Sequence, residues 1–234
     1  MNYSKQQIRI MTDIINFKKQ NFQDIFINVD KQNINNIKAM ILGPKNTPYQ
    51  NGFFFFDINF PNDYPTSNPT VQFRTTDNKV RFNPNLYANG KVCLSILGTW
   101  NGPGWQPTMN LTSVLLSIQS LLHENPIINE PGYEKIKIQY EKSQIYNKYL
   151  IYHTYRLAFY DVLKGRRFKI WRDLFKDEIN NIINKNLDEI KNEVQSYSYL
   201  LDGLTLPKII YFMESTNIEF TSLKDKVLKL KNNI

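Results

Sequence analysis

The chain has 234 residues, 41% of them hydrophobic, and a formal charge of +8 from 29 basic and 21 acidic side chains. This length supports one substantial core, or a domain of about 150 residues with an appendage. A single cysteine excludes an internal disulfide, and no apolar run approaches the roughly 20 residues that span a bilayer, so a soluble protein is expected.

The polar start "MNYSKQQIRI" carries no signal-peptide pattern, which points to an intracellular, reducing compartment. The positive charge raises the question of nucleic acid. The sequence shows no zinc-ligand spacing, no basic recognition helix and no aromatic RNA-binding motif, and its Asn, Lys and Ile bias scatters lysines over any surface. An acidic protein surface is the better use of that charge.

In chain order, residues 4–19, "SKQQIRIMTDIINFKK", place Ile8, Met11 and Ile15 at helical spacing, with Ser4 as N-cap and Lys5, Arg9 and Lys18 largely off that stripe. The strand-like segments "NIKAMILG", "GFFFFDINF" and "PTVQFRT" follow, separated by Pro/Gly/Asn turns, and read as an antiparallel meander. The phenylalanine run is too apolar for a free edge, so at least one of its faces must be covered.

After Cys93 comes a Gly/Trp/Pro loop, "LGTWNGPGWQPT". The helix "NLTSVLLSIQSLLHE" follows, capped by Asn110 or Thr112 and apolar nearly all round, as a central buried helix would be. The prolines of "NPIINEPGY" break it. A helical pattern then runs from Tyr133 to about Leu163, and Gly165 closes it.

Residues 164–234 read as a helical C-terminal extension to a domain of residues 1–163. The extension holds "GRRFKIWRDLFK", then "EINNIINKNLDEIKNEV" at helical spacing, a break at "LDGLTLP" and a last helix ending "LKDKVLKLKNNI". Phe168, Ile170, Trp171, Leu174 and Phe175 are too many large apolar groups to leave in water. The extension is therefore expected to dock on the first domain with its charges facing solvent.

The only cysteine lies in "NPNLYANGKVCLSIL". It is either a small apolar residue filling an extended segment or the reactive atom of the protein. A histidine partner could activate it, but His123 and His153 lack the flanking residues of a hydrolase site and read as helix-surface or locally bonded side chains. A cysteine needs no strong base when its substrate is already a thioester, because exchange between thioesters is nearly balanced and an ordinary thiol, of pKa about 8.5, is a few per cent thiolate at neutral pH. Such a carrier needs an accessible thiol on a rigid support, a donor for the developing oxyanion and a group to deprotonate the incoming amine. If the segment is extended, Val92 and Leu94 anchor it while Cys93 points the other way.

The ordered string "GPKNTPYQNGFFFFDINFPNDYP", "NPN", "NGKVCL", "WQPT", "VLLSIQSLL" and "NEP" resembles the ubiquitin-conjugating enzymes over roughly residues 4–163. Two departures, Asn83 where the family has His and a longer loop between Cys93 and the tryptophan, look like the long-tailed subtype Z and its larger relatives. The resemblance implies an α+β ubiquitin-conjugating fold: an N-terminal helix, a four-stranded antiparallel meander, and central and C-terminal helices, here with the helical extension.

It also implies that Cys93 accepts ubiquitin, or a ubiquitin-like modifier, as a thioester from an activating enzyme and passes it to a lysine. Asn85 would serve as oxyanion donor or loop-shaping residue, and Glu130 as the acidic gate, with Asn125 and Asn129 beside it. Lys5 and Arg9 would face the activating enzyme. Thr66, where many members carry Phe, and Pro107 would lie on the ligase-facing loops. No metal or organic cofactor is implied, since ATP is consumed by the activating enzyme. Neither nucleic acid nor a membrane is expected as a partner, and the cytoplasm or nucleus is the expected location. The alternative is a catalytically silent scaffold that binds ubiquitin or a ligase, against which the presence of both Cys93 and Asn85 speaks.

Overall fold

The computed structural model describes residues 3–231. Helix α1 (Lys5–Lys19) starts at a capping box in which the Ser4 hydroxyl accepts from the Gln7 backbone and the Gln7 side chain accepts from the Ser4 backbone. Its buried face is Ile10, Asp13 and Phe17. The stripe expected from the sequence is thus displaced, because Ile8 and Ile15 are 52% and 53% exposed. Both stripes have helical spacing. Tertiary contact selects the one whose Asp13 carboxylate can be satisfied, by Arg9 Nε at 2.8 Å, the Leu111 amide at 3.3 Å and the Tyr64 hydroxyl.

Strands β1 (Ile25–Val29), β2 (Asn36–Leu42), β3 (Phe53–Asn59) and β4 (Thr70–Phe73) form an antiparallel sheet in sequence order, the expected meander. Period-two alternation sends the phenylalanines of β3 to opposite faces. Phe54 and Phe56 meet Phe82 and Phe73 at ring separations of 5.3 and 5.2 Å. Phe53 stacks on Phe159 at 6.3 Å, and Phe55 on Trp171 at 5.1 Å and Phe175 at 6.0 Å. All four are fully buried, so both faces of β3 are covered.

Helix α2 (Leu111–Gln119) is capped by Asn110, whose side chain accepts from the Ser113 amide at 3.0 Å. Its apolar surface is not wholly enclosed, since Leu116 is 40% exposed. Helix α3 (Glu141–His153) begins later than the pattern from Tyr133 suggests, because residues 131–140 form successive turns. It passes through a π-helical stretch, Thr154–Asp161, into the short α4 (Val162–Lys164).

Helices α5 (Lys169–Leu174) and α6 (Lys176–Leu201) then lie against the first domain. The large apolar side chains of "GRRFKIWRDLFK" dock as expected, except Ile170, which is 70% exposed. Arg172 folds back from solvent and donates to the carbonyls of Val162, Leu163 and Gly165 at the end of α4. On α6, Ile179, Ile183, Leu187, Ile190, Val194 and Leu201 bury one stripe. Glu193, on the same helix, accepts from Asn51 Nδ2 and the Tyr155 hydroxyl, each at 2.7 Å, which ties the extension to the turn before β3.

A short hairpin that the sequence did not suggest, β5 (Thr205–Leu206) with β6 (Thr216–Asn217), precedes α7 (Phe220–Leu228). The last three residues of the expected terminal helix, Asn232, Asn233 and Ile234, lie outside the described residues. Among the described residues, no helix is long and apolar enough to cross a membrane.

Candidate active site

The segment carrying Cys93 is bound to the sheet and folded on itself. The Phe73 amide donates to the Gly90 carbonyl at 2.8 Å, and Tyr87 and Lys91 pair across the intervening turn. Gly90 has φ +90°, and a Cβ there would lie 2.7 Å from the Phe73 carbonyl oxygen, so only glycine allows this approach. The Cys93 amide donates to the Asn85 carbonyl at 2.9 Å, and Asn85 Nδ2 donates to the Cys93 carbonyl at 2.6 Å. On the far side, Thr99 Oγ1 donates to the Val92 carbonyl at 2.7 Å and accepts from the Leu94 amide at 3.0 Å. Backbone on both sides of the cysteine is thus fixed by side chains six and eight residues away in sequence. Thr99 has no role in the sequence reading; its place in "LGTW" gave no sign of this clamp.

Cys93 is 1% exposed and Val92 2% exposed, while Leu94 is half-buried. The simple alternation that would bring the thiol to the surface therefore does not hold. The segment is not a regular strand; it makes an isolated bridge at Val92 and then enters a 3-10 turn, Ser95–Leu97.

Asn83, where the sequence departs from the family's histidine, is fully buried and fully bonded. Its Nδ2 donates to the Tyr49 hydroxyl at 3.0 Å and the Leu121 carbonyl at 2.8 Å. Its Oδ1 accepts from the Asn85 amide at 2.9 Å and Asn129 Nδ2 at 3.2 Å. Asn129 in turn lies 3.3 Å from His123 Nε2, and His123 Nδ1 accepts from the Asn125 amide at 3.2 Å. Because Nδ1 accepts, the neutral ring carries its proton on Nε2 and donates to Asn129 Oδ1. A chain of hydrogen bonds thus runs from the turn after α2 through Asn129, Asn83 and Asn85 to the cysteine.

The other expected positions separate into groups. Asn125 braces the loop by donating to the Ile136 carbonyl at 2.8 Å and accepting from Ser143. Arg9 ties α1 to one of the two loops expected to face ligases, donating to the carbonyls of Pro107 at 3.0 Å and Met109 at 2.6 Å. Trp105 Nε1 donates to the Pro65 carbonyl at 2.7 Å, drawing Pro65–Thr66 toward the same surface. Lys5 is exposed on α1 beside Ile8.

Glu130 is 9% exposed. Burial pushes its carboxyl above the usual range, against the opposing pull of the Arg81 charge and the Tyr211 hydroxyl. Arg81, another residue with no role in the sequence reading, is buried. Its guanidinium carbon lies 3.5 Å from the Tyr87 ring centroid and 4.2 Å from that of Phe212. It also donates to the Pro84 carbonyl, next to Asn85.

His153 lies in the last turn of α3, buried rather than on a helix surface, and accepts from Arg156 Nε at 3.2 Å. Burial, reinforced by the Arg156 charge, lowers its pKa to about 3 although Asp77 pulls the other way. The unfolded ring titrates near 6.5, so between about pH 6.5 and 3 the unfolded chain binds the extra proton and stability falls as pH falls. At pH 5 this one ring is expected to cost about 2 kcal/mol relative to pH 7. Urea unfolding of wild type and His153→Gln at both pH values checks this: the variant loses less stability on acidification, and equal losses would refute it.

With this geometry in view, the comparisons with known proteins are direct. A family model described as "Ubiquitin-conjugating enzyme" matches residues 9–153, more than half of the chain. The chain belongs to the ubiquitin-conjugating enzyme family. It is 48% identical over 160 residues to ubiquitin-conjugating enzyme E2 Z of Xenopus tropicalis, covering 68% of this chain and 51% of that protein. For the human protein of the same name the identity is 47%, over 68% of this chain and 45% of that protein. The chain thus spans about half the length of these curated relatives. Among solved structures, a putative ubiquitin conjugating enzyme from Plasmodium yoelii superposes with a TM-score of 0.52 at 26% identity, covering 68% of this chain and 99% of that one. The E2 domain of a Toxoplasma gondii ubiquitin conjugating enzyme gives 0.51 at 27%, over 66% and 99%. These confirm the α+β ubiquitin-conjugating fold expected from the motifs. The family match ends before the extension that covers β3. Among the described residues, no group of three or more His, Cys, Asp or Glu side chains could hold a metal ion.

Proposed function

We propose that this family member accepts the C-terminal glycine of ubiquitin, or of a ubiquitin-like modifier, from an activating enzyme as a thioester on Cys93 and transfers it to a lysine of a protein substrate, with or through a ligase. The observation that carries the reading is the two-sided fixing of Cys93 by Asn85 and Thr99. Thioester exchange is nearly balanced in energy and needs position more than activation.

In loading, the Cys93 sulfur attacks the donor thioester carbonyl, the bond to the activating enzyme's sulfur breaks, and that thiolate takes up the proton. In discharge, a lysine amine attacks the glycyl carbonyl and the Cys93–acyl bond breaks. One Asn85 N–H is occupied by the Cys93 carbonyl, leaving the other to meet the oxyanion. Glu130 receives the amine proton; burial makes it a stronger base than an exposed carboxylate. Because Cys93 is shielded, loading includes an opening of its cover. Lys5 and the exposed Ile8 of α1 would meet the activating enzyme, while Thr66 and Pro107 border the surface for ligases. No cofactor enters these steps; ATP is used by the activating enzyme.

The reading is tested by incubating the protein with an activating enzyme, ATP and ubiquitin. It predicts an adduct that thiols dissolve, whereas a silent scaffold binds without forming one. The role of Glu130 is tested by discharge to free lysine across pH. A lysine amine titrates near 10.4, so part of the profile belongs to the acceptor. Wild type is expected to show a second break where Glu130 titrates. Glu130→Ala should lose that break and slow by about 10²-fold, the low end for a positioned acid–base group. An unchanged profile would remove Glu130 from proton transfer.

A further inference from the structure

Arg81 presents a physical problem. It is a cation 5% exposed, and an unpaired buried charge is costly. No salt bridge within 4.0 Å compensates it among the described residues, and its Nε finds no hydrogen-bond partner among them. Compensation comes from four directions: the Pro84 carbonyl, the Tyr87 ring at 3.5 Å, the Phe212 ring at 4.2 Å, and the Tyr211 hydroxyl, which accepts from Nη1 at 3.1 Å. Two of these come from the extension, 130 residues further along the chain.

The turn that brings them is itself anchored. Ile210 and Met213 are 5% and 0% exposed, and the Met213 amide donates to the Ile210 carbonyl at 3.1 Å. Tyr211 and Phe212 sit between those anchors, and Tyr211 is 65% exposed. Its oxygen accepts from Arg81, so its proton is free for another acceptor, and its hydroxyl pulls against the upward shift that burial imposes on Glu130. Tyr87, whose ring lies 3.5 Å from the Arg81 guanidinium carbon, closes the same cluster from the segment that leads to Cys93.

We propose that Tyr211 is a positioning residue for lysine transfer: through Arg81 it holds the Pro84–Asn85 turn that fixes Cys93, and through its own hydroxyl it orients Glu130. The extension is then part of the active site as well as a cover for β3. This rests on the thioester reading and on Glu130 as the proton acceptor. The titratable and charged groups facing Glu130 are Arg81, Tyr211 and, from α3, Tyr146. Removing the Tyr211 hydroxyl removes an interaction that favours the ionised carboxylate, so Glu130 titrates at higher pH without it.

The test uses the full chain and the conservative variant Tyr211→Phe, which keeps the ring and, at an exposed position, the fold; melting curves verify this. Single-turnover loading with ubiquitin and discharge to free lysine are measured between pH 5.5 and 9. The expected result is loading within about twofold of wild type, discharge about tenfold slower, a fraction of what a positioned acid–base group supplies, and an acid limb of discharge displaced to higher pH. On a Glu130→Gln background the same substitution should no longer displace the acid limb, while the slowing that comes through Arg81 remains. Tyr199→Phe, at a 91% exposed position on α6, serves as control. If Tyr211→Phe loads and discharges as wild type does with the same pH profile, the positioning role is overturned while the thioester reading stands. If wild type forms no thiol-sensitive adduct, both fall together.

Discussion

Replacing Cys93 by alanine is expected to abolish modifier loading completely. The chain has no second cysteine to take over. A backbone fixed by Asn85 and Thr99 does not depend on the thiol, so the variant should fold: deleting one small buried group costs about 1 kcal/mol. Cys93→Ser keeps the same geometry with an oxygen nucleophile. Any adduct it forms is an oxyester, which resists the thiols that dissolve the wild-type adduct. This pair of variants separates chemistry from binding, because a scaffold that merely holds the modifier would be indifferent to both. Loading of Cys93→Ala at the wild-type rate would end the assignment of the thiol.

The second large effect is expected at Asn85. Its amide is committed to the Cys93 carbonyl at 2.6 Å, while its Oδ1 is buried with no hydrogen-bond partner among the described residues. A buried amide left half-bonded costs about 1–3 kcal/mol. The orientation holds because exchanging oxygen and nitrogen would set two acceptors against each other at Cys93. Loss of an oxyanion donor costs about 10²–10³ in rate. Asn85→Ala is therefore expected to leave loading near wild type and to slow discharge to lysine by about that factor. If the side chain only shapes the loop, loading and discharge fall together. Single-turnover rates of the two half-reactions distinguish these outcomes.

Much of this was legible in the sequence, for reasons that differ by residue. The meander was legible because apolar runs separated by Pro/Gly/Asn turns admit few other arrangements, and Asn110 because an N-cap is a local device. The ordered motif string around Cys93 located the family. The buried stripe of α1 was not legible: Ile8, Met11 and Ile15 and the Ile10, Asp13, Phe17 face have equivalent spacing, and the choice depends on partners as distant as Leu111. Nor could alternation place the thiol, since the segment is no regular strand and enters a 3-10 turn two residues after it. "FFFF" announced that something must cover β3, and the aromatic stretch at residues 168–175 was a visible candidate. Arg81 and Tyr211 were out of reach, because nothing local marks two side chains that meet across 130 residues.

The covered state of Cys93 has a consequence for regulation of access. Tyr87 bonds to Lys91 across the turn that leads to Cys93, and its segment is anchored by the buried Leu86 rather than being a free loop. The cover is therefore expected to open by local displacement on binding the activating enzyme, not by unfolding of the segment.

The central claim is that one sulfur carries the modifier. It is tested most directly by intact mass measurement of the protein after incubation with ubiquitin, activating enzyme and ATP, before and after addition of thiol, with the modified residue located by peptide mapping. The predicted result is a mass increase of one ubiquitin less one water, located on Cys93 and lost on thiol treatment. An unmodified protein under conditions that charge another family member, or a thiol-resistant adduct on a lysine with Cys93 free throughout, would contradict it.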